Sequence, residues 1–266
     1  YDVIVVGAGP GGATAAYYLG ESGLSELVLE KEHLPRYKTC GGGVSARLLT
    51  QFPFSFTPVI ESRVKAISYV LGKQTVNIPL PDRPVRMVMR QDFDAFILSH
   101  ARAYVRQGET LKNIQELPDR VIVHTQAGET YQGRYLVGAD GASSLVARAL
   151  GLRRRKTLAA AIEVETPAPP EIMARFQDTA CFIFGEVRLG YLWIFPKANH
   201  LSVGIGALRP RPGELQVTLK RVMARFGVPL EEGSLHGHPI PLYTRSEKIA
   251  TSRSLLVGDA AGLVDP

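Results

Sequence analysis

The apolar positions of this chain fall into two spacings. Val3-Ile4-Val5-Val6 is a continuous apolar run that stops at Gly7, Ala13 to Leu19 follows at helical spacing, and Leu27-Val28-Leu29 is a second run. Two strand runs joined through a helix predict a βαβ opening and the start of a parallel sheet. Val64 to Val70 and Gln74 to Ile78 alternate around Gly72-Lys73, which predicts an antiparallel hairpin. Phe93, Phe96, Ile97, Ala101 and Tyr104 recur at helical spacing, which predicts an amphipathic helix from Asp92 to Arg106. Strands are expected at Val121 to Val123 and Tyr131 to Val137, and a short helix at Ser144 to Leu150.

From about residue 157 the texture changes to strands separated by turns. Ala159 to Val164, Cys181 to Phe184, Tyr191 to Phe195 and Leu201 to Ala207 read as strands, with one helix near Gly213 to Phe226. Ser254 to Val257 returns to a buried-strand pattern. The expected architecture is a doubly wound α/β domain with an antiparallel sheet inserted into it.

Composition narrows the class without naming a chemistry. With 266 residues, 45% hydrophobic and 21% charged, the chain is neither a disordered tail, a coiled coil nor a disulfide scaffold. The net charge of +6 suits an anionic membrane surface, a phosphate-bearing ligand or nucleic acid. No basic stripe is interleaved with aromatics, so nucleic acid is not expected. The run Arg153-Arg154-Arg155-Lys156 reads as a solvated loop after a helix. Cys40 and Cys181 stand far apart, so a reducing cytoplasm is the default setting. Val3 to Gly20 is uncharged, but five glycines and Pro10 argue against a spanning helix.

Gly7-Ala8-Gly9-Pro10-Gly11-Gly12 fits G-x-G-x-x-G between a strand and a helix. Gly7 permits the tight turn, Gly9 lets a pyrophosphate approach, and Gly12 allows close helix-on-strand packing. Glu30 ends the second strand, where its carboxylate suits ribose hydroxyls. This motif alone leaves NAD and FAD open.

Two later segments carry a resemblance. Gly138-Ala139-Asp140-Gly141-Ala142-Ser143-Ser144-Leu145-Val146 resembles the G-A-D-G-x-x-S-x-V segment of FAD-dependent hydroxylases and their relatives. Gly258-Asp259-Ala260-Ala261-Gly262 resembles the second flavin motif of that superfamily. The resemblance implies that Asp259 holds the ribitol, that Asp140 lies near the pyrophosphate and the nicotinamide path, and that Arg90 lies near the flavin phosphates. It also places Lys31, Gly41 and Gly42 at the cofactor.

Pro35-Arg36-Tyr37-Lys38-Thr39-Cys40-Gly41-Gly42-Gly43-Val44 and Gly190-Tyr191-Leu192-Trp193-Ile194-Phe195-Pro196-Lys197 are similar to segments of the geranylgeranyl reductase family. That family saturates isolated double bonds in polyprenyl chains. The likeness implies a Rossmann-type FAD-binding domain over 1–57, 89–156 and 251–266. It interleaves with an antiparallel-sheet, α+β substrate domain over 58–88 and 157–250. It also implies that the Cys-Gly-Gly loop borders the flavin ring and that Tyr191, Trp193 and Phe195 line a lipid cavity. On a strand these three share a face, which equally suits an aromatic core. Cys40 is the candidate proton donor, because an unactivated alkene needs a proton on one carbon as hydride reaches the other. Read as residues alone, Cys40 suits a small buried hydrophobe as well. Cys181 is expected in the core.

His236 and His238 share a strand face without a third ligand, so no metal is expected. The implied cofactors are FAD and, as electron donor, NAD(P)H or reduced ferredoxin. The implied partner is an isoprenoid lipid, with a peripheral membrane contact allowed for in a cytoplasmic protein. Two alternatives stand beside the reductase: an FAD-dependent aromatic hydroxylase and a flavin-binding protein without catalysis. Family members continue into a helix facing the flavin and further structure, so the 266 residues are expected to be the front portion of a longer flavoenzyme.

Overall fold

The structure is a computed structural model that describes residues 1–81, 84–230 and 233–264. The last two residues of the expected 251–266 segment, Asp265 and Pro266, lie outside the described residues. The chain divides into two compact units, one of Tyr1–Tyr37, Gln91–Leu158 and Ile240–Pro266, the other of Lys38–Arg90 and Ala159–Pro239.

The first unit is built on a five-stranded parallel sheet, in the order Ser254–Leu256, Tyr135–Gly138, Val3–Val6, Glu26–Glu30, Tyr104–Gln107. Its central strands are apolar on both faces, as a sheet covered on both sides requires. Val3–Val6 is wholly buried and Ile4, Leu27, Leu29 and Leu136 anchor the core. A three-stranded antiparallel sheet of Leu111–Glu116, Val121–Thr125 and Thr130–Gly133 completes the unit.

Three expectations need correction here. The helix expected over 92–106 is Arg90–Ser99, and Tyr104–Gln107 is instead the edge strand beside Glu26–Glu30. Local spacing carried the apolar stripe too far, because β-forming Tyr104 and Val105 satisfy their backbone groups on a strand distant in sequence. The single strand expected over 131–137 breaks at Arg134 into Thr130–Gly133 and Tyr135–Gly138, which serve different sheets. Arg153, expected in a solvated loop, is only 4% exposed.

The second unit centres on a seven-stranded sheet. Its order is Leu235–Leu242, Thr157–Thr166, Leu201–Leu208, Gly190–Pro196, Thr179–Phe184, Ala66–Leu71, Gln74–Pro79. Ala66–Leu71 and Gln74–Pro79 form the expected antiparallel hairpin, while Ala66–Leu71 runs parallel to Thr179–Phe184. One face packs on the amphipathic helix Glu214–Phe226, burying Ile183, Leu192, Ile194, Val203 and Ile205 against Leu215, Leu219, Val222 and Met223. A small sheet of Gly43–Ser45, Val85–Met87 and Ser62–Val64 lies in the same unit. Among the described residues no helix is long and apolar enough to cross a membrane.

Candidate functional site

In the first unit the glycine-bearing motifs converge at the carboxyl ends of three neighbouring parallel strands, the usual ligand edge of such a sheet. Gly7 has φ +99°, and a Cβ there would lie 2.4 Å from the carbonyl oxygen of Ala139. A Cβ on Gly12 would lie 1.9 Å from the oxygen of Gly7, so strand and helix touch backbone to backbone. Gly11 lies against Val257 and Gly258. Helix Pro10–Glu21 begins after Gly9, with Pro10 in its first turn and no side chain capping it. The first-turn N–H groups of such a helix lack intrahelical acceptors and favour an anion.

Glu30 is buried at the end of its strand. Its Oε2 accepts from the Ala8 N–H at 2.7 Å and its Oε1 from the Glu32 N–H at 3.1 Å. Arg36 Nε stands 3.6 Å from Oε1, and Arg36 Nη1 reaches Asp94 Oδ2 at 3.3 Å. Glu30 thus fastens the glycine turn to the second strand. A carboxylate has about four lone-pair sites, so capacity for sugar hydroxyls remains. An open backbone cradle, free helix-end N–H groups and an acceptor-only carboxylate fit the diphosphate and ribose of a dinucleotide such as FAD. Arg36 and Asp94 are site residues the sequence reading missed, since their pairing spans 58 residues.

Asp140 accepts from the Ser144 hydroxyl and from the N–H groups of Leu145 and Val146, at 2.6 and 3.1 Å, and so caps helix Leu145–Ala149. Gly141 takes φ +79° beside it. Asp259 is half-buried in the first turn of Gly258–Ala261. Gly262 closes that helix at φ +61°, directly against the buried guanidinium of Arg153. Lys156 Nζ donates to the Ala142 carbonyl at 2.9 Å, and burial lowers its pKa. Lys31 is exposed, 3.9 Å from Glu32, and Arg90 opens its helix half-buried.

In the second unit Cys40-Gly41-Gly42 lies on the aromatic face of Gly190–Pro196. A Cβ on Gly41 would meet Phe195 at 2.8 Å and Trp193 Nε1 at 3.1 Å. Gly42 takes φ +69° with Val88 O in the place of a Cβ. The Cys40 side chain is exposed and its N–H donates to Glu163 Oε1 at 3.1 Å. Lys197, 2% exposed, donates from Nζ to the carbonyls of Gly41 and Val88 at 3.0 and 2.7 Å. Burial pushes the Lys197 pKa down, while Glu165, Cys40 and Glu163 act the other way. Burial is the main cause that raises the pKa of Tyr191, with a smaller contribution from neighbouring Cys40.

Leu192 and Ile194 point into the helix-covered core, leaving Tyr191, Trp193 and Phe195 on the opposite face. There they join Tyr69, Phe182 and Phe184 in one aromatic wall. Ring centroids are 5.2 Å apart for Phe182–Phe195, 5.6 Å for Phe184–Tyr191 and 5.7 Å for Tyr69–Phe182. Cys181, on the core side, is 2% exposed and burial pushes its thiol up to about 11. His238 contacts Lys38 Nζ at 2.6 Å.

Residues 5–52 match the family of NAD(P)-binding Rossmann-like domains. An uncharacterized protein of Methanosarcina barkeri is 32% identical, over 98% of this chain and 68% of its own length. The geranylgeranyl diphosphate reductase of Rhodobacter capsulatus is 29% identical over all of this chain and 70% of its own. Among solved structures, a geranylgeranyl bacteriochlorophyll reductase-like protein of Thermoplasma acidophilum superposes with a TM-score of 0.88. It shares 26% identity and covers 100% of this chain and 72% of its own. Relatives that match across the full length of this chain assign it to the geranylgeranyl reductase family of FAD-dependent oxidoreductases.

Proposed function

We propose that this protein binds FAD at the Gly7–Gly12 turn and reduces isolated carbon–carbon double bonds in a polyprenyl group of a lipid. The observation that carries the proposal is the exposed thiol of Cys40, held on a glycine loop against the Tyr191-Trp193-Phe195 face. The first unit is the FAD-binding domain and the second the substrate domain.

Glu30 would hold the adenosine ribose, the first turn of Pro10–Glu21 the diphosphate, and Asp259 the ribitol. Bound and reduced by NAD(P)H or reduced ferredoxin, FAD supplies hydride. An isolated alkene has no carbonyl to absorb charge, so a proton must reach the second carbon as hydride reaches the first. Cys40 gives that proton from Sγ, and its thiolate regains one from solvent, to which it is open. Glu163 and Lys197 fix the loop on either side of the thiol. The aromatic wall offers a dry, flat surface to a prenyl chain and keeps water from the reacting bond. The test is anaerobic: a geranylgeranyl lipid added to the reduced holoprotein should reoxidise the flavin, and unchanged flavin absorbance would refute the proposal.

A further inference from the structure

The aromatic wall does not end at Phe182. Register pairs Phe182 with Tyr69 and Tyr69 with Val76, Phe184 with Leu71, and Ile67 with Ile78. These side chains share one sheet face, opposite the face covered by helix Glu214–Phe226. At the hairpin that face is open to solvent, with Leu71 57%, Val76 58% and Ile78 44% exposed. The turn 185–190 comes alongside, since a Cβ on Gly185 would lie 2.9 Å from Leu71 Cδ1, and it carries Leu189 at 65% exposure. Large apolar side chains clustered on two adjoining turns are costly in water unless something receives them.

Charge says what receives them. Residues 62–81 contain Arg63, Lys65 and Lys73 and no Asp or Glu, and of these Lys65 is paired with Asp178 at 3.1 Å. Lys73 at the hairpin tip and Arg188 beside Leu189 are exposed and carry no ion pair among the described residues. The one acid of the second turn, Glu186, is bound to Arg221 at 3.0 Å and Arg225 at 2.7 Å. Both arginines belong to the helix on the far face. We infer that the hairpin Ala66–Pro79 and the turn 185–190 form a docking surface for an anionic lipid bilayer, inserting Leu71, Val76 and Leu189 while Lys73 and Arg188 meet the headgroups. A second copy of the chain fits less well, because a two-fold contact here would bring like charges together.

The test is cosedimentation of the holoprotein with phosphatidylcholine vesicles, with and without phosphatidylglycerol. The wild type should bind the anionic vesicles and bind the neutral ones more weakly. Leu71→Ser with Leu189→Ser should lower partitioning about tenfold. Lys73→Glu with Arg188→Glu should remove the preference for phosphatidylglycerol, each cation accounting for about fivefold. Val217→Ser, an exposed apolar position on the helix of the opposite face, should leave partitioning unchanged. All of these positions are exposed, and unaltered melting would confirm intact folds. Absence of vesicle binding, equal loss in the Val217 variant, or a dimer dissolved by the Leu71 and Leu189 changes would each overturn the inference.

Discussion

The buried ammonium of Lys197 donates to the carbonyl oxygen of Gly41 at 3.0 Å, one residue from the thiol of Cys40. Nothing in the residue order links positions 156 apart, yet this bond sets the height of the glycine loop over the aromatic strand. Replacing Lys197 with Met removes the donor to two carbonyls at once. Stability should fall by about 1–3 kcal/mol, the cost of leaving buried acceptors unpaired. Turnover should fall about tenfold or more as the loop loses its position, while FAD retention is unchanged. Thermal melting, flavin content and kcat separate the three effects.

Gly12→Ala addresses the other unit. Its Cβ would sit 1.9 Å from the Gly7 oxygen, a backbone atom that cannot swing aside. The helix must move off the strand, carrying its N–H groups away from the diphosphate. FAD affinity should drop more than about tenfold, read as flavin retained after gel filtration. A yellow protein of unchanged stoichiometry and affinity would show that the cradle is not needed.

Trp193 is the single tryptophan of the chain, so its emission reports the aromatic wall alone. A polyprenyl ligand lying on that wall should change the emission in proportion to occupancy. Gly204→Ala would put a Cβ 2.1 Å from Trp193 Cζ2 and so push the ring from the sheet. Prenyl affinity should weaken about tenfold, with FAD binding retained. Equal titration curves for the two proteins would contradict a role for the ring.

Glu26 provides a pH signature. Among the described residues neither of its buried carboxylate oxygens has a hydrogen-bond partner, and burial raises its pKa to about 7. The folded state therefore holds a proton that the unfolded state has already released in the ordinary carboxylate range. Its favourable contribution is full below that range and is lost as pH rises to about 7. Glu26→Gln should flatten this slope and raise the melting temperature above pH 7, by about 1–3 kcal/mol of stability. Melting curves across pH 4 to 8, on the order of the interval over which the shifted carboxylate titrates, provide the check.

The glycine turn, its strand and Glu30 were legible in sequence because all lie within one βαβ unit, where local spacing and chemistry coincide. The face shared by Tyr191, Trp193 and Phe195 was legible for the same reason, as alternation on one strand. The other half of the wall was not, since Tyr69 meets Phe182 through a parallel pairing across more than a hundred residues. Arg153 misled because a run of cations normally faces solvent, whereas here one member turns under Gly262. Tyr104 misled because helical spacing continues past the residue where tertiary pairing takes over.

The proposed reaction adds hydride from reduced FAD and a proton from Cys40 across an isolated prenyl double bond. Product mass after anaerobic incubation of the reduced holoprotein with a geranylgeranyl lipid tests it most directly. A gain of two hydrogen atoms per bond reduced is expected. In the Cys40→Ala protein that gain should be lost, with flavin reduction intact. A product formed only with oxygen and heavier by one oxygen atom, or full reduction by the Cys40→Ala protein, would contradict it.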